Sequence, residues 1–104
     1  MTTVGEQDTG WQAIAGSQVR VEIIDALLNM PKDKRFNKSE LADMSGVSRK
    51  SVHNHFTVLE QLGIIEEASE FAKTEYKFNT SNKVSELLIK LDGAANNTGP
   101  EVNE

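Results

Sequence analysis

The residues with most to offer chemically lie in one short stretch. Between Gly46 and Leu59 the chain carries no acidic side chain, while Ser48, Arg49, Lys50, Ser51, His53, Asn54 and Thr57 follow one another closely. At about 100° per residue Lys50, Asn54 and Thr57 share one side of a helix, opposite Val52. Those types suit the edges of stacked bases. Lysine donates to guanine, asparagine pairs through two bonds with adenine, and threonine meets the thymine methyl. His53, beside them, can touch a base or a phosphate, or stand idle. Ser39, Ser48, Arg49 and Ser51 suit phosphate, through hydroxyls, a guanidinium and the unpaired amides of helix starts. Simple solvation also produces polar helix faces, so the elements that hold these residues decide the matter.

Other chemistries find less support. His53 and His55 are two positions apart, about 200° on a helix, and cannot share one metal ion. The chain has no cysteine, which removes disulfides, thiolate metal sites and cysteine nucleophiles. It also lacks a glycine-rich phosphate loop, an HExxH pattern and a nucleophile with a base in motif spacing, so no enzyme, no cofactor and no metal are expected. Lys32, Lys34, Arg35 and Lys38 form a second basic group, read either as loop solvation or as phosphate contact, with Lys38 nearest the polar stretch.

With 104 residues and a net charge of −5, the sequence makes one acidic domain. The charge is unevenly spread. Met1–Met30 has one basic and four acidic residues, Pro31–Thr57 six and three, and Val58–Glu104 four and nine. A basic window therefore sits inside an acidic chain, and affinity for a polyanion follows local contacts rather than the total. Residues 1–10 are polar and acidic where a secretory leader would be basic and then apolar, and no apolar run approaches a membrane span; a cytoplasmic protein is expected.

The elements follow from period and punctuation. Residues 1–10 and 93–104 read as tails. Trp11–Ala15 is a short helix or hook; Ser17 caps a helix through Asn29, which Pro31 ends. That helix carries Val19, Ile23, Ile24, Leu27 and Leu28 with Val21 on a second side, enough apolar surface for two partners. Arg35–Asn37 is a short strand with Phe36 inward. Ser39 caps a brief helix that Ser45-Gly46 breaks, and Ser48 caps a longer one to about Leu62, with Val52, His55, Phe56, Leu59 and Leu62 inward. Gly63 stops it. Residues 64–68 and 74–78 form a hairpin, Thr74, Tyr76 and Phe78 on one face, with Phe71 near its tip expected to fold back onto it or, failing that, to mark a protein contact. Ser81 opens a last helix to Asp92 with Val84, Leu87, Leu88 and Leu91 in one stripe.

This order, together with Leu41-Ala42, Gly46-Val47-Ser48, Val52, His55-Phe56, Leu59 and Leu62-Gly63-Ile64-Ile65, resembles the winged helix-turn-helix regulators of bacteria and archaea, of the ArsR-like and MarR-like kind. The likeness covers Gln18–Leu91 within a single domain at 11–92. The resemblance implies a mostly α fold with a small β-hairpin: a three-helix core, a two- or three-stranded wing sheet at 64–78 and an additional C-terminal helix at 81–92. It further implies that 48–62 is a recognition helix in the major groove of double-stranded DNA. Lys50, His53, Asn54 and Thr57 would then meet bases, and Ser39, Ser48, Arg49, Ser51, Lys38 and Lys73 phosphates. His55, on the inner or flanking side, is expected to be packed and hydrogen-bonded.

The wing departs from the pattern, because Glu66, Glu67 and Glu70 precede its lone basic tip residue, Lys73. The last helix either seals the core of its own chain or, as in relatives where it often serves a two-fold dimer, pairs with a second copy, which here would use Ile24, Leu28, Val84, Leu87, Leu88 and Leu91. The expected activity is that of a dimeric transcriptional regulator, most simply a repressor that occupies its operator. The alternative is a winged-helix module for protein contacts inside a larger assembly, which the negative total charge keeps open.

Overall fold

The computed structural model describes residues 10–98. In chain order these form α1 (Gly10–Ala15), α2 (Gln18–Asn29), β1 (Arg35–Phe36), α3 (Lys38–Ser45), α4 (Arg49–Gln61), β2 (Ile65–Glu67), β3 (Tyr76–Phe78) and α5 (Lys83–Thr98). The expected winged helix-turn-helix is present: a helical body with a small antiparallel sheet in the order β1-β3-β2.

Each boundary has a local cause. Ser17 accepts a hydrogen bond from the Arg20 amide at the start of α2, and Met30 turns extended before Pro31 at its end. The cap of α3 is Asn37, where Ser39 was expected. The Asn37 side chain accepts from the Glu40 amide at 2.8 Å while the Glu40 carboxylate accepts from the Asn37 amide at 2.9 Å, a reciprocal box that satisfies two donors at once. Gly46 ends α3 in the left-handed conformation, φ 77°, its N–H donating to Ala42. Ser48 caps α4 as expected. At the far end Gly63, φ 80°, donates to Glu60 and Ile64 donates back to Leu59, the double bond pattern of a Schellman stop.

The core is contiguous. Ile23, Ile24 and Leu27 of α2, Leu41 and Ala42 of α3, Val52, Phe56 and Leu59 of α4, and Phe36, Ile64, Ile65 and Phe78 around the sheet are all buried. The period-two face of β3 holds, with Phe78 buried and Tyr76 partly so, and β1 supplies the third strand through Phe36↔Tyr76 and Arg35↔Lys77. The two wing strands are shorter than the sequence suggested, because Ile64 still belongs to the α4 stop. Above Glu67 only single bonds continue, such as Ala68 to Glu75.

Two further expectations need correction. The last helix begins at Lys83, with Asn82 accepting from the Val84 amide, and Ser81 lies outside it, donating to Asn79. It then runs through Gly93 to Thr98, so 93–98 is helix where a tail was expected. Nothing lies within 4 Å of where a Gly93 side chain would point, and Ala94 and Ala95 favour continuation. The calls on residues 1–9 and 99–104 lie outside the described residues. Gly10 belongs to α1, and the short helix at 11–15 is observed.

Candidate nucleic-acid interface

Burial on one side of α4 fixes what the other side presents. Val52, Phe56 and Leu59 are inside, held by α2, α3 and the sheet. Lys50, His53, Asn54 and Thr57 are consequently all exposed, as are Ser48 and Arg49, while Ser39, Lys38 and Ser51 are partly covered. The four expected base-contact residues thus share one solvent-facing surface, and no carboxylate lies on the helix before Glu60.

The start of α4 is also an anion-compatible end. Ser48 Oγ accepts from the Ser51 amide and donates to Ser51 Oγ, both at 3.0 Å. That fixes both hydroxyls and leaves the first amides of the helix pointing outward. With Arg49 and Lys50 in the first turn, positive charge sits where the helix dipole is already positive. Such an arrangement costs the isolated helix some stability and favours an anionic partner.

Lys38 is not a loose phosphate hook. Its Nζ stands 3.3 Å from His53 Nδ1 and 4.7 Å above the Phe56 ring, which ties the start of α3 to the exposed face of α4. Within the second basic group Lys32 donates to the Leu28 carbonyl at 2.9 Å and lies over Phe78, and Arg35 pairs with Glu70 at 3.0 Å. The group therefore serves several local purposes instead of forming one basic patch.

The two histidines diverge as the helical wheel requires. His55 turns inward, its Nδ1 3.2 Å from Nη1 of Arg20. Arginine can only donate, so the imidazole accepts and carries its proton on Nε2. Partial burial and, second, the Arg20 charge lower the His55 pKa from its ordinary 6.5. Arg20 itself is 2 % exposed and also donates from Nη2 to the Gln12 carbonyl at 3.3 Å. One guanidinium thereby joins α1, α2 and α4. The signal the sequence offers for Arg20 is its place among the apolar residues of α2.

The wing is less acidic in effect than in composition. Glu66 pairs with Lys77 and Glu75 with Lys73, each at 3.8 Å, and Glu70 with Arg35. Tyr76 packs edge-on against Phe56, ring centres 4.6 Å apart, so β3 is seated on α4. Burial first, then Glu60 and Glu67, raise the Tyr76 pKa above 10.0. Phe71 does not fold back as expected: it is fully exposed at the hairpin tip.

Of the residues expected at a dimer contact, Ile24 is 5 % exposed and belongs to the core of the single chain, leaving a partner little of it to touch. Leu28, Val84 and Leu88 are half-buried against that core, and Leu87 and Leu91 are exposed.

A helix-turn-helix closed by Gly46, a buried second-helix core and a three-stranded wing together define a winged helix-turn-helix, the architecture of DNA-binding transcriptional regulators. Residues 17–67 match the family model for the bacterial regulatory protein, arsR family. Over 88 % of this chain and 82 % of the other, the fold also matches the crystal structure of NolR from Sinorhizobium fredii, with a TM-score of 0.59 and 21 % identity. No curated protein matches the chain by sequence. Among the described residues no helix is long and apolar enough to cross a membrane.

Proposed function

We propose that the protein is a homodimeric repressor that occupies a two-fold operator, with α4 of each subunit in the major groove. The observation that carries this reading is the division of α4. One face is committed to the core through Val52, Phe56 and Leu59, and the opposite face offers Lys50, His53, Asn54 and Thr57 to solvent, with no carboxylate on the helix before Glu60. Lys50 and Asn54 read base edges in this proposal, whereas Arg49, Ser39, Lys73 and the Ser48–Ser51 turn meet phosphate.

Dimerisation rests on a second surface, formed by α1 and α5. Trp11 of α1 and Leu87 and Leu91 of α5 are 59 %, 52 % and 54 % exposed. With Ile14, Val84 and Leu88 they line an apolar hollow of about 230 Å³. A second copy brought there by a two-fold axis buries all three and sets the two recognition helices about 34 Å apart, one turn of duplex.

The test is a duplex recovered by selection from random sequence, titrated with wild-type protein and with Lys50→Glu at several salt concentrations. Wild type should show a steep negative dependence of log K on log salt, and Lys50→Glu should lose binding while keeping its fold. Retained binding in Lys50→Glu would remove α4 from the role given to it here.

A further inference from the structure

The wing tip carries a side chain that folding does not account for. Glu70 and Lys73 close a four-residue turn, the Lys73 amide donating to the Glu70 carbonyl at 3.2 Å. Phe71 occupies the first of its two central positions with φ 59°, the one described residue other than glycine with a positive φ. Glycine suits that position; a bulky residue there is strained. Phe71 gains no burial in exchange, since it is 102 % exposed, as open as in an extended chain. A large aromatic held in solvent by a strained turn lowers the stability of the free protein and points to a use outside it.

Three features equip the tip to approach a duplex. It is braced: Ser69 Oγ accepts from the Glu75 amide at 3.0 Å, and Arg35 holds Glu70 from β1. Its nearest carboxylates, Glu70 and Glu75, are ion-paired, so the charge that would repel phosphate is largely offset. Finally, the hairpin is anchored to the recognition helix through Tyr76 on Phe56, which makes the position of the tip follow that of α4. Lys73, two residues after Phe71 and 77 % exposed at its side chain, would exchange Glu75 for a phosphate.

We propose that Phe71 is an apolar wedge that the wing inserts between base pairs in the minor groove beside the α4 site, unstacking one step and bending the duplex. This rests on the DNA reading above. Aromatic and aliphatic wedges act in this way wherever partial unstacking is offset by the added contact of bent DNA. Steps that unstack easily, pyrimidine followed by purine, are then favoured at that position although no hydrogen bond reads them.

The experiment uses the full chain and the selected duplex, labelled at its two ends for energy transfer and carrying 2-aminopurine in turn at each flanking step. Wild type should bend the duplex and brighten 2-aminopurine at one step per half-site. Phe71→Ala should bind roughly tenfold more weakly and abolish both signals; Phe71→Trp should keep them. Phe71→Gly should melt at a higher temperature than wild type, the turn being relieved, yet bind DNA as weakly as Phe71→Ala, which separates recognition from folding. If Phe71→Ala binds and bends like wild type while Lys50→Glu loses binding, the wedge is overturned, the DNA reading stands, and Phe71 belongs to a protein contact instead. If Lys50→Glu also binds normally, the DNA reading itself falls and the wedge with it.

Discussion

Nδ1 of His55 accepts a hydrogen bond from the guanidinium of Arg20 across 3.2 Å, joining α4 to α2 behind the surface α4 presents. A protonated imidazole could not accept that bond and would face a like charge. The native state therefore holds His55 neutral, with its pKa below 6.5 through partial burial and then through Arg20. In the unfolded chain the histidine titrates normally and binds a proton more readily. The His55 contribution to stability is thus fully present above about pH 6.5 and declines as pH falls through the window between the two values. Urea melts between pH 5 and 8 should show this loss, and His55→Gln should flatten it. A His55→Gln profile as steep as wild type would show that another group is responsible.

Removing the arginine is more severe, because its buried position was built around a guanidinium. Arg20→Ala removes the arginine donor from the imidazole and one of the donors from the Gln12 carbonyl, which keeps the Gly16 amide at 2.7 Å, and opens space between three helices. The expected loss is roughly 2–4 kcal/mol, measured by denaturant unfolding, with α1 the first element to exchange its amides. Arg20→Lys should recover only part, since a single ammonium cannot span both acceptors.

The two left-handed glycines should respond unequally. At Gly46 a side chain would meet nothing within 4 Å, so Gly46→Ala costs only the backbone strain, about 1–2 kcal/mol. At Gly63 the added methyl runs into the side-chain amide of Asn82, the residue that caps α5 by accepting from the Val84 amide at 2.9 Å. Gly63→Ala should therefore lose the same strain plus the cap, about a further 1 kcal/mol. Equal melting temperatures for the two variants would contradict this ordering.

Ser48 gives a smaller and more local effect. Its oxygen satisfies the Ser51 amide at 3.0 Å, and Ser48→Ala should cost about 1 kcal/mol of stability. The same change should weaken duplex binding, because it loosens the turn that carries Arg49 and Lys50. Serine-to-aspartate at this position should restore the cap and the stability, yet bind DNA less well than serine through repulsion of phosphate.

How much of this was legible in the sequence depends on whether one residue's neighbours in the chain are also its neighbours in space. The core side of α4 was readable because Val52, Phe56 and Leu59 recur at helical spacing, and its limits because Ser48 and Gly63 act within a few residues. The cap of α3 was misplaced for a related reason: Asn37 and Ser39 both qualify by type, and Glu40, three residues after Asn37, was the deciding cue that completes the box. The helical limit at Asp92 failed because Gly93 stops a helix only when its backbone turns left-handed, and here it does not. The Arg20–His55 bond spans 35 positions and the Arg35–Glu70 pair a similar distance, so neither could be found by spacing. Phe71 is exposed although apolar character alone argues for burial, and the positive φ of its turn is not legible in the sequence.

The self-association surface can be tested with less ambiguity than the stripe on α5 first suggests. Leu88 is the obvious choice, but it is half-buried against the core of its own chain, so a charge there disturbs the monomer as well. Leu87 and Leu91 are more than half exposed in the single chain. A charge at either costs the isolated fold under about 0.5 kcal/mol, while in a two-fold contact it is buried twice, once from each subunit. Leu87→Glu and Leu91→Glu should therefore turn a dimer into a monomer by light scattering with almost unchanged circular dichroism. Binding to a palindromic duplex should weaken by at least tenfold, and binding to a single half-site should stay the same. A wild-type chain that scatters as a monomer at micromolar concentration, or variants that still scatter as dimers, would place the subunit contact elsewhere.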